Sequence, residues 1–143
     1  MTLTCVAPHS PEPESERSVA LIIDDDADTR RTIVNILRVA GWRVLEARNG
    51  EHGLLMAREH VPDVILLDLA LPKMSGLEVL RELKSPRWAD QPTPVVVVSF
   101  FASLMRLPDL RQADGVVTKP FSAVDLLRQT CAALAQRRAP VLR

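Results

Sequence analysis

Five short apolar segments, each followed by a segment with helical spacing, restrict the fold of this chain more than any other feature of its sequence. Apolar runs of this length, rich in branched side chains, are typical of strands buried on both faces of a sheet. Consecutive parallel strands need a crossover, which is usually a helix. The alternation therefore predicts an α/β fold, a doubly wound five-stranded parallel sheet with helices on both faces. The predicted strands are residues 19–23, 42–47, 63–67, 94–98 and 116–118.

The helical segments carry recognisable start and stop signals. Gly41 is predicted to end the first helix, and Pro62 follows the end of the second. Pro108 interrupts the fourth helical segment, so that helix is expected to be short or irregular. Ser122 and Asp125 suit the first turn of the last helix, where side-chain oxygens accept hydrogen bonds from free backbone N–H groups. The predicted helices are residues 27–40, 51–60, 76–84, 102–113 and 122–137.

Length and charge limit the classes of protein to consider. The 143 residues suit a single domain with short tails. Residues 1–18, rich in proline, serine and glutamate, are predicted to be a disordered tail. Residues 19–138 then form the domain, and residues 139–143 form a C-terminal tail. Lysine plus arginine and aspartate plus glutamate both number 18, so the net charge is zero and direct binding to nucleic acid is not expected.

Two features bear on the cellular location. No apolar run is long enough to cross a membrane, and the N-terminal residues lack the basic flank and the apolar core of a signal peptide. The two cysteines, Cys5 and Cys131, are too few for a disulfide framework and have no metal-ligand spacing. These features favour a soluble protein of the reducing cytoplasm.

Polar side chains follow four of the predicted strands at their carboxyl ends. In doubly wound sheets the functional groups gather beyond these ends, so we expect the side chains to converge. Carboxylates held close together repel one another unless a divalent cation neutralises them. Mg²⁺ is the natural candidate, because no histidine or cysteine offers a zinc site here. The residues are Asp24, Asp25 and Asp26 after strand one, Asp68 after strand three, Ser99 after strand four and Lys119 after strand five.

This set of groups suits the transfer of a phosphoryl group. A carboxylate can attack a phosphoryl donor and form an acyl phosphate, and Asp68 is suited to that nucleophilic role. A metal ion and the ammonium of Lys119 would offset charge on the transferring group. Ser99 would donate a hydrogen bond to the new phosphate, which would tie the chemistry to the movement of neighbouring strands.

The ordered motifs of residues 19–137 closely resemble those of the response-regulator receiver family of two-component signalling. The resemblance implies the flavodoxin-like strand order 2-1-3-4-5. Each motif alone is weak, whereas the ordered set is highly specific. The motifs are LIIDDD at residues 21–26, VILLDLALPKMSG at residues 64–76, PVVVVS at residues 94–99 and TKPF at residues 118–121.

The resemblance assigns a role to each acidic residue of these motifs. Asp68 is implied to be the phosphoacceptor and to hold Mg²⁺ together with Asp24 and Asp25. The backbone carbonyl of Ala70 is implied to complete the protein ligands of the metal. Asp26 is interpreted as a bystander that caps the next helix.

The resemblance also assigns roles to other positions of these motifs. Ser99 occupies the Ser/Thr switch position of the family, and Lys119 the position of the lysine that contacts the phosphate. Pro120 corresponds to a cis-proline that follows this lysine in the family. Gly76 matches the glycine of the loop after the phosphoacceptor.

Three departures from the family pattern concern the signalling face. A small residue usually follows the switch position, but here it is Phe100, followed by Phe101, and access to the site is expected to be restricted. Val116 stands where an aromatic residue often swings inward on activation. The two phenylalanines either pack in the core or supply the aromatic element that Val116 lacks. Pro108 lies in a segment shorter than the family's, which predicts an unusual fourth helix.

The sequence therefore predicts a Mg²⁺-dependent signalling switch that accepts a phosphoryl group on Asp68 from a histidine kinase or a phosphotransfer protein. It would catalyse its own phosphorylation and dephosphorylation, so its classification as an enzyme is left open. It would signal to a downstream protein through the face formed by the fourth helix, the fifth strand and the fifth helix. A homodimer is also left open.

Two other classes of function compete with this prediction. A degenerate receiver would act as a phosphorylation-independent interaction module, as Phe100 and Val116 suggest. The sequence argues against a phosphohydrolase with an aspartate nucleophile, because Ala70, two residues after Asp68, leaves no second acid to act as a general acid.

Overall fold

The computed structural model describes residues 13–100 and 108–138. Within these ranges five strands alternate with four α-helices, and short 3₁₀ helices span Glu14–Glu16, Pro86–Trp88 and Pro108–Gln112. The strands are β1 Val19–Ile23, β2 Arg43–Ala47, β3 Val64–Leu67, β4 Val95–Ser99 and β5 Gly115–Thr118. The helices are α1 Ala27–Val39, α2 Gly50–His60, α3 Gly76–Leu83 and α4 Ala123–Arg138.

The five strands form one parallel sheet in the order β2-β1-β3-β4-β5. This confirms the predicted α/β class and the predicted flavodoxin-like order. The register pairs Ile23 of β1 with Leu67 of β3, and Ser99 of β4 with Thr118 of β5. The carboxyl ends of neighbouring strands therefore lie level at one edge of the sheet.

Two apolar layers sandwich the sheet, because successive side chains of a strand point to opposite faces. On one face Ile22 packs with the buried residues of α1 and α4, such as Leu37 and Leu126. On the other face Ile23 packs with α2 and α3, for instance with Val79. Burying one such side chain contributes roughly 1.5–3 kcal/mol, so the central strands anchor whatever lies at their ends.

The predicted end of α1 is confirmed. Gly41 has a φ of 95°, a left-handed conformation that glycine adopts without strain. Its N–H donates to the carbonyl of Arg38, and the N–H of Trp42 donates to the carbonyl of Leu37. This paired pattern is the Schellman motif, which uses the last free carbonyls of the helix.

The predicted fourth helix is corrected in part. Residues 108–112 form a 3₁₀ helix rather than an α-helix, in keeping with a proline that lacks the N–H needed to continue an α-helical turn. Residues 101–107, which include Phe101, lie outside the described residues. The predicted fifth helix is α4, and its first turn is capped by Ser122, whose Oγ accepts from the N–H of Asp125 at 3.1 Å.

Three further expectations concern the tails, the cysteines and the membrane. Residues 1–12 and 139–143 lie outside the described residues, as does Cys5, and the rest of the predicted tail contains one 3₁₀ turn. Cys131 lies in α4 and packs against the apolar layer that contains Ile22, and the reducing compartment stays a prediction. Each of the described helices is too short or too polar to span a lipid bilayer.

Candidate functional site

The backbone hydrogen bonds of the sheet continue past the strands and hold the predicted site residues at its edge. The N–H of Asp24 donates to the carbonyl of Ala47 at 3.1 Å, and the N–H of Asp68 donates to that of Ile23 at 2.9 Å. The N–H of Lys119 donates to the carbonyl of Ser99 at 2.8 Å. Three site residues are thus placed by main-chain bonds rather than by flexible loops.

Asp24, Asp68 and Lys119 form a buried charged cluster at this edge. Lys119 Nζ lies 3.1 Å from Asp24 Oδ2 and 3.2 Å from Asp68 Oδ2. The three residues are 1%, 6% and 7% exposed, in that order. Ser99 is buried at the end of β4, the strand next to β3. The structure therefore brings together the predicted nucleophile, one predicted metal ligand and the predicted lysine.

The electrostatics of Asp24 reflect its burial. Loss of contact with water raises the pKa of this carboxyl above its ordinary value of 3.8, and repulsion from Asp68 raises it further. The N–H of Asp26, which donates to Asp24 Oδ1 at 2.9 Å, and the ammonium of Lys119 oppose this rise in the pKa. One lysine does not fully compensate two neighbouring carboxylates.

The donor set at this site fits Mg²⁺. One carboxylate oxygen from each of Asp24, Asp25 and Asp68 lies within 4.8 Å of the others. Asp25 is exposed whereas the other two are buried, so the cluster opens to solvent on one side. Mg²⁺ prefers a few carboxylate oxygens and keeps several waters, which this arrangement permits.

The loop after β3 is tightly packed around Asp68. The N–H of Ala70 donates to Asp68 Oδ1 at 3.1 Å, which fixes the carboxylate, while Ala70 itself is exposed. The N–H of Gly76 donates to the carbonyl of Leu69 at 3.0 Å. A Cβ on Gly76 would lie 2.3 Å from the carbonyl oxygen of Asp68, so this position requires glycine.

Two smaller predictions at this edge are confirmed. Asp26 is the N-cap of α1 and accepts from the N–H of Thr29 at 3.3 Å, as expected of a helix cap. The peptide bond between Lys119 and Pro120 is cis, as the resemblance implies.

The position of Phe100 contradicts one of the two expectations for the phenylalanines, that they pack in the core. Phe100 is 62% exposed, so core packing of this residue is wrong. Its ring centroid lies 5.1 Å from Lys119 Nζ. Val116 is half-buried against the apolar layer that contains α2 and α3.

Arg30 is a site residue that the sequence interpretation missed. Its Nη1 donates to the carbonyl of Asp24 at 2.8 Å, and its Nε lies 3.1 Å from Glu46 Oε1. Arg30 therefore ties α1 and β2 to the end of β1. A basic residue in the first turn of a helix runs against the helix dipole, and that conflict was a usable signal.

A second perturbed carboxylate lies away from the site. The pKa of Glu82 is lowered from 4.5 to about 2, chiefly by a hydrogen bond from Arg87 and next by one from the Trp88 indole. This group sits near the end of α3, before β4 begins, at the opposite edge of the sheet. A perturbed pKa alone thus does not mark a functional site.

Fold and site together define a class of protein: a doubly wound α/β protein in which several aspartates and one lysine cluster at the carboxyl edge of the sheet. The family model described as the response regulator receiver domain matches residues 20–130. The chain belongs to this family of two-component response regulators.

Individual proteins agree with this assignment. The chain is 36% identical to the transcriptional regulatory protein KdpE of Mycobacterium tuberculosis, over 85% of this chain and 53% of that protein. It is 34% identical to the polar-differentiation response regulator DivK of Brucella anthropi, over 71% of this chain and 84% of that protein. The chain spans about half the length of several curated relatives that it matches.

Solved structures share the fold. The chemotaxis response regulator CheY4 of Vibrio cholerae is 26% identical with a TM-score of 0.72, covering 80% of this chain and 96% of that one. A CheY-like receiver domain protein from Methanospirillum hungatei is 27% identical with a TM-score of 0.74, covering 85% of this chain and 97% of that one.

Proposed function

We propose that this protein is a phosphorylation-dependent switch that accepts a phosphoryl group on Asp68 from a histidine kinase or a histidine phosphotransfer protein. The observation that carries the proposal is the buried cluster in which Lys119 Nζ lies 3.2 Å from Asp68 Oδ2 and 3.1 Å from Asp24 Oδ2. A buried carboxylate that faces a buried cation suits an in-line attack on phosphorus.

The transfer step follows from these groups. A carboxylate oxygen of Asp68 forms a bond to phosphorus while the bond from phosphorus to the donor nitrogen breaks, and the electron pair stays with the imidazole. The Lys119 ammonium offsets negative charge on the phosphoryl oxygens. Ser99, buried at the end of β4, donates a hydrogen bond to the phosphorylated side chain.

Mg²⁺ would be held by Asp24, Asp25 and Asp68, with the carbonyl of Ala70 as a further ligand. When bound, it supplies positive charge that stabilises the transferring group. The catalysis of phosphorylation and dephosphorylation is then built into the receiver itself.

The output would pass through β4 and β5, which carry Ser99 and Lys119 at their ends. Drawing both side chains to one phosphoryl group shifts the two strand ends together. A face that includes the 3₁₀ helix Pro108–Gln112, β5 and α4 would then change its affinity for a downstream protein. The same face could serve a homodimer, and we place the protein in the cytoplasm.

The test is phosphorylation of the purified chain with Mg²⁺ and acetyl phosphate, read by intact mass. The wild type should gain one phosphoryl group, and Asp68→Asn should gain none while keeping its circular dichroism spectrum. Asp63→Asn, a change of another partly buried acid at the opposite end of β3, should label like the wild type. Labelling of Asp68→Asn at the wild-type level would sink the assignment.

A degenerate receiver that acts as a constitutive interaction module is the second candidate, because the exposed Phe100 stands beside the site. Under this candidate the wild type stays unlabelled in conditions that modify a control receiver. It also binds its partner equally with and without phosphodonor.

A further inference from the structure

We propose that Phe100 is a positioning residue for Lys119. A cation–π contact with the Phe100 ring holds the Lys119 ammonium at the acceptor site. This role rests on the proposed function and refines its mechanism. The ring centroid lies 5.1 Å from Nζ, inside the roughly 6 Å over which the face of a ring attracts a cation.

The exposure of Phe100 needs an explanation that core packing does not supply. Every residue of β4 is buried, yet Phe100, directly after it, is 62% exposed. Lys119, in contrast, is 7% exposed. The contact with the Lys119 ammonium accounts for the exposed position of the Phe100 ring, which has water on its other side.

The ring completes the surroundings of the ammonium. An ammonium has three N–H donors. Two carboxylates accept from Nζ, those of Asp24 at 3.1 Å and Asp68 at 3.2 Å. The Phe100 ring is a third neighbour, and it approaches from the next strand end, that of β4.

A neutral ring suits this third position better than another acid. Three carboxylates already cluster here, and a fourth would repel an incoming phosphoryl group. The quadrupole of a phenyl ring attracts an ammonium without adding net charge. Phe100 therefore holds Lys119 without opposing the arrival of the phosphate.

The phosphoryl transfer does not alter the Phe100 ring. Asp68 loses its free carboxylate when it becomes an acyl phosphate, and Asp24 is a candidate metal ligand. Both carboxylates thus have a second partner in the reaction. The Phe100 ring binds neither the phosphoryl group nor the metal, so its contact with the ammonium limits the orientations available to Lys119.

The first arm of the test detects the contact without any phosphorylation. The chain has three lysines, Lys73, Lys84 and Lys119, so ¹³Cε-lysine labelling gives a simple NMR spectrum. Methylene protons near the face of a ring resonate upfield, and the Lys119 signal should do so in the wild type and in Phe100→Tyr. It should return to an ordinary position in Phe100→Leu. A Lys119 signal that Phe100→Leu leaves unchanged overturns the proposal.

The second arm measures phosphoryl uptake from acetyl phosphate with Mg²⁺. A cation–π contact of this kind corresponds to a rate lowered about threefold to tenfold in Phe100→Leu and Phe100→Ala. Phe100→Tyr should stay near the wild-type rate. Val39→Ala, which removes an exposed side chain at the far end of α1, is the control and should leave the rate unchanged.

Two results separate the failures. If Phe100→Leu matches the wild type while Phe100→Ala is faster, the ring acts only by its bulk, and the positioning role is overturned while the proposed function stands. If the wild type takes up no phosphate, the proposed function itself fails, and the positioning role fails with it.

Discussion

At the scale of single residues, Lys119 controls the charge balance of the site. One ammonium faces two carboxylates that are 1% and 6% exposed, those of Asp24 and Asp68. Burial of charges is costly, and attraction compensates it only when each charge keeps its partners. The raised pKa of Asp24 shows that the compensation is incomplete.

Replacement of Lys119 by methionine should destabilise the protein by about 3–5 kcal/mol at pH 7, since it leaves two buried carboxylates without their cation. The pKa of Asp24 is already raised above its ordinary value of 3.8, so ionisation of this carboxyl opposes folding. Stability is therefore lost as the pH rises from 3.8 through the pKa of Asp24 in the folded state. Without Lys119 this pKa rises further. The loss should therefore be smaller at pH 5 than at pH 7.

Urea unfolding of the wild type and Lys119→Met at the two pH values measures this difference. Lys73→Met, at an exposed lysine, is the matched control and should change the unfolding free energy by less than about 0.5 kcal/mol. An equal loss at both pH values would contradict the charge argument.

At the scale of elements, four of the site residues stand at the end of a strand or one residue beyond it. Asp24 follows β1, Asp68 follows β3 and Lys119 follows β5, whereas Ser99 is the last residue of β4. The central strands are buried on both faces, which makes their ends rigid. The start of α3 packs directly on the loop after β3, where Gly76 leaves no room for a Cβ beside Asp68 and Leu69.

Gly76→Ala should disturb that contact. The new Cβ would lie 2.3 Å from the carbonyl oxygen of Asp68 and 2.4 Å from Leu69 Cα. Both are backbone atoms that cannot turn aside, so we expect a loss of about 3 kcal/mol in urea unfolding. Uptake of phosphate should fall as well, because the loop that holds Asp68 moves.

Gly115→Ala is the control for this prediction. Its nearest atom would be Oε1 of Gln129 at 2.8 Å, the end of a long side chain that can rotate away. This variant should lose less than about 1 kcal/mol. Equal losses in the two variants would show that the backbone contact at Gly76 is not the cause.

At the scale of the whole molecule, the acidic cluster links metal binding to folding. Unfolding separates Asp24, Asp25 and Asp68, so Mg²⁺ should bind the folded chain preferentially. Stability should rise by about 2.7 kcal/mol when Mg²⁺ stands at 100 times its dissociation constant. Thermal unfolding in MgCl₂, compared with NaCl of equal ionic strength, measures the effect.

Asp25→Asn should remove most of this stabilisation while leaving the fold intact, because Asp25 is exposed and its change does not reach the core. Asp28→Asn replaces an exposed acid outside the cluster and should respond to Mg²⁺ like the wild type. If the metal stabilises Asp25→Asn as strongly as the wild type, the three-carboxylate site is wrong.

Much of the architecture was predictable from local patterns. The alternation of apolar runs with helical segments led to the parallel sheet, and the polar residues at the strand ends led to the cluster around Asp68. Gly41 and Asp26 were identified as helix stop and helix cap, because both signals depend on a few adjacent residues. For the segment around Pro108 the sequence predicted a short or irregular helix, but not the 3₁₀ helix Pro108–Gln112.

The sequence by itself determined which side chains reach the carboxyl edge of the sheet, because strand periodicity and parallel topology follow from the order of residues. Only the tertiary structure decided how those side chains share the edge. Asp24 is buried while Asp25 is exposed, Arg30 holds the carbonyl of Asp24, and the Phe100 ring lies beside the Lys119 ammonium rather than in the core. These contacts join residues from different elements through space, and their distances depend on the packing of the whole sheet, which no local pattern encodes.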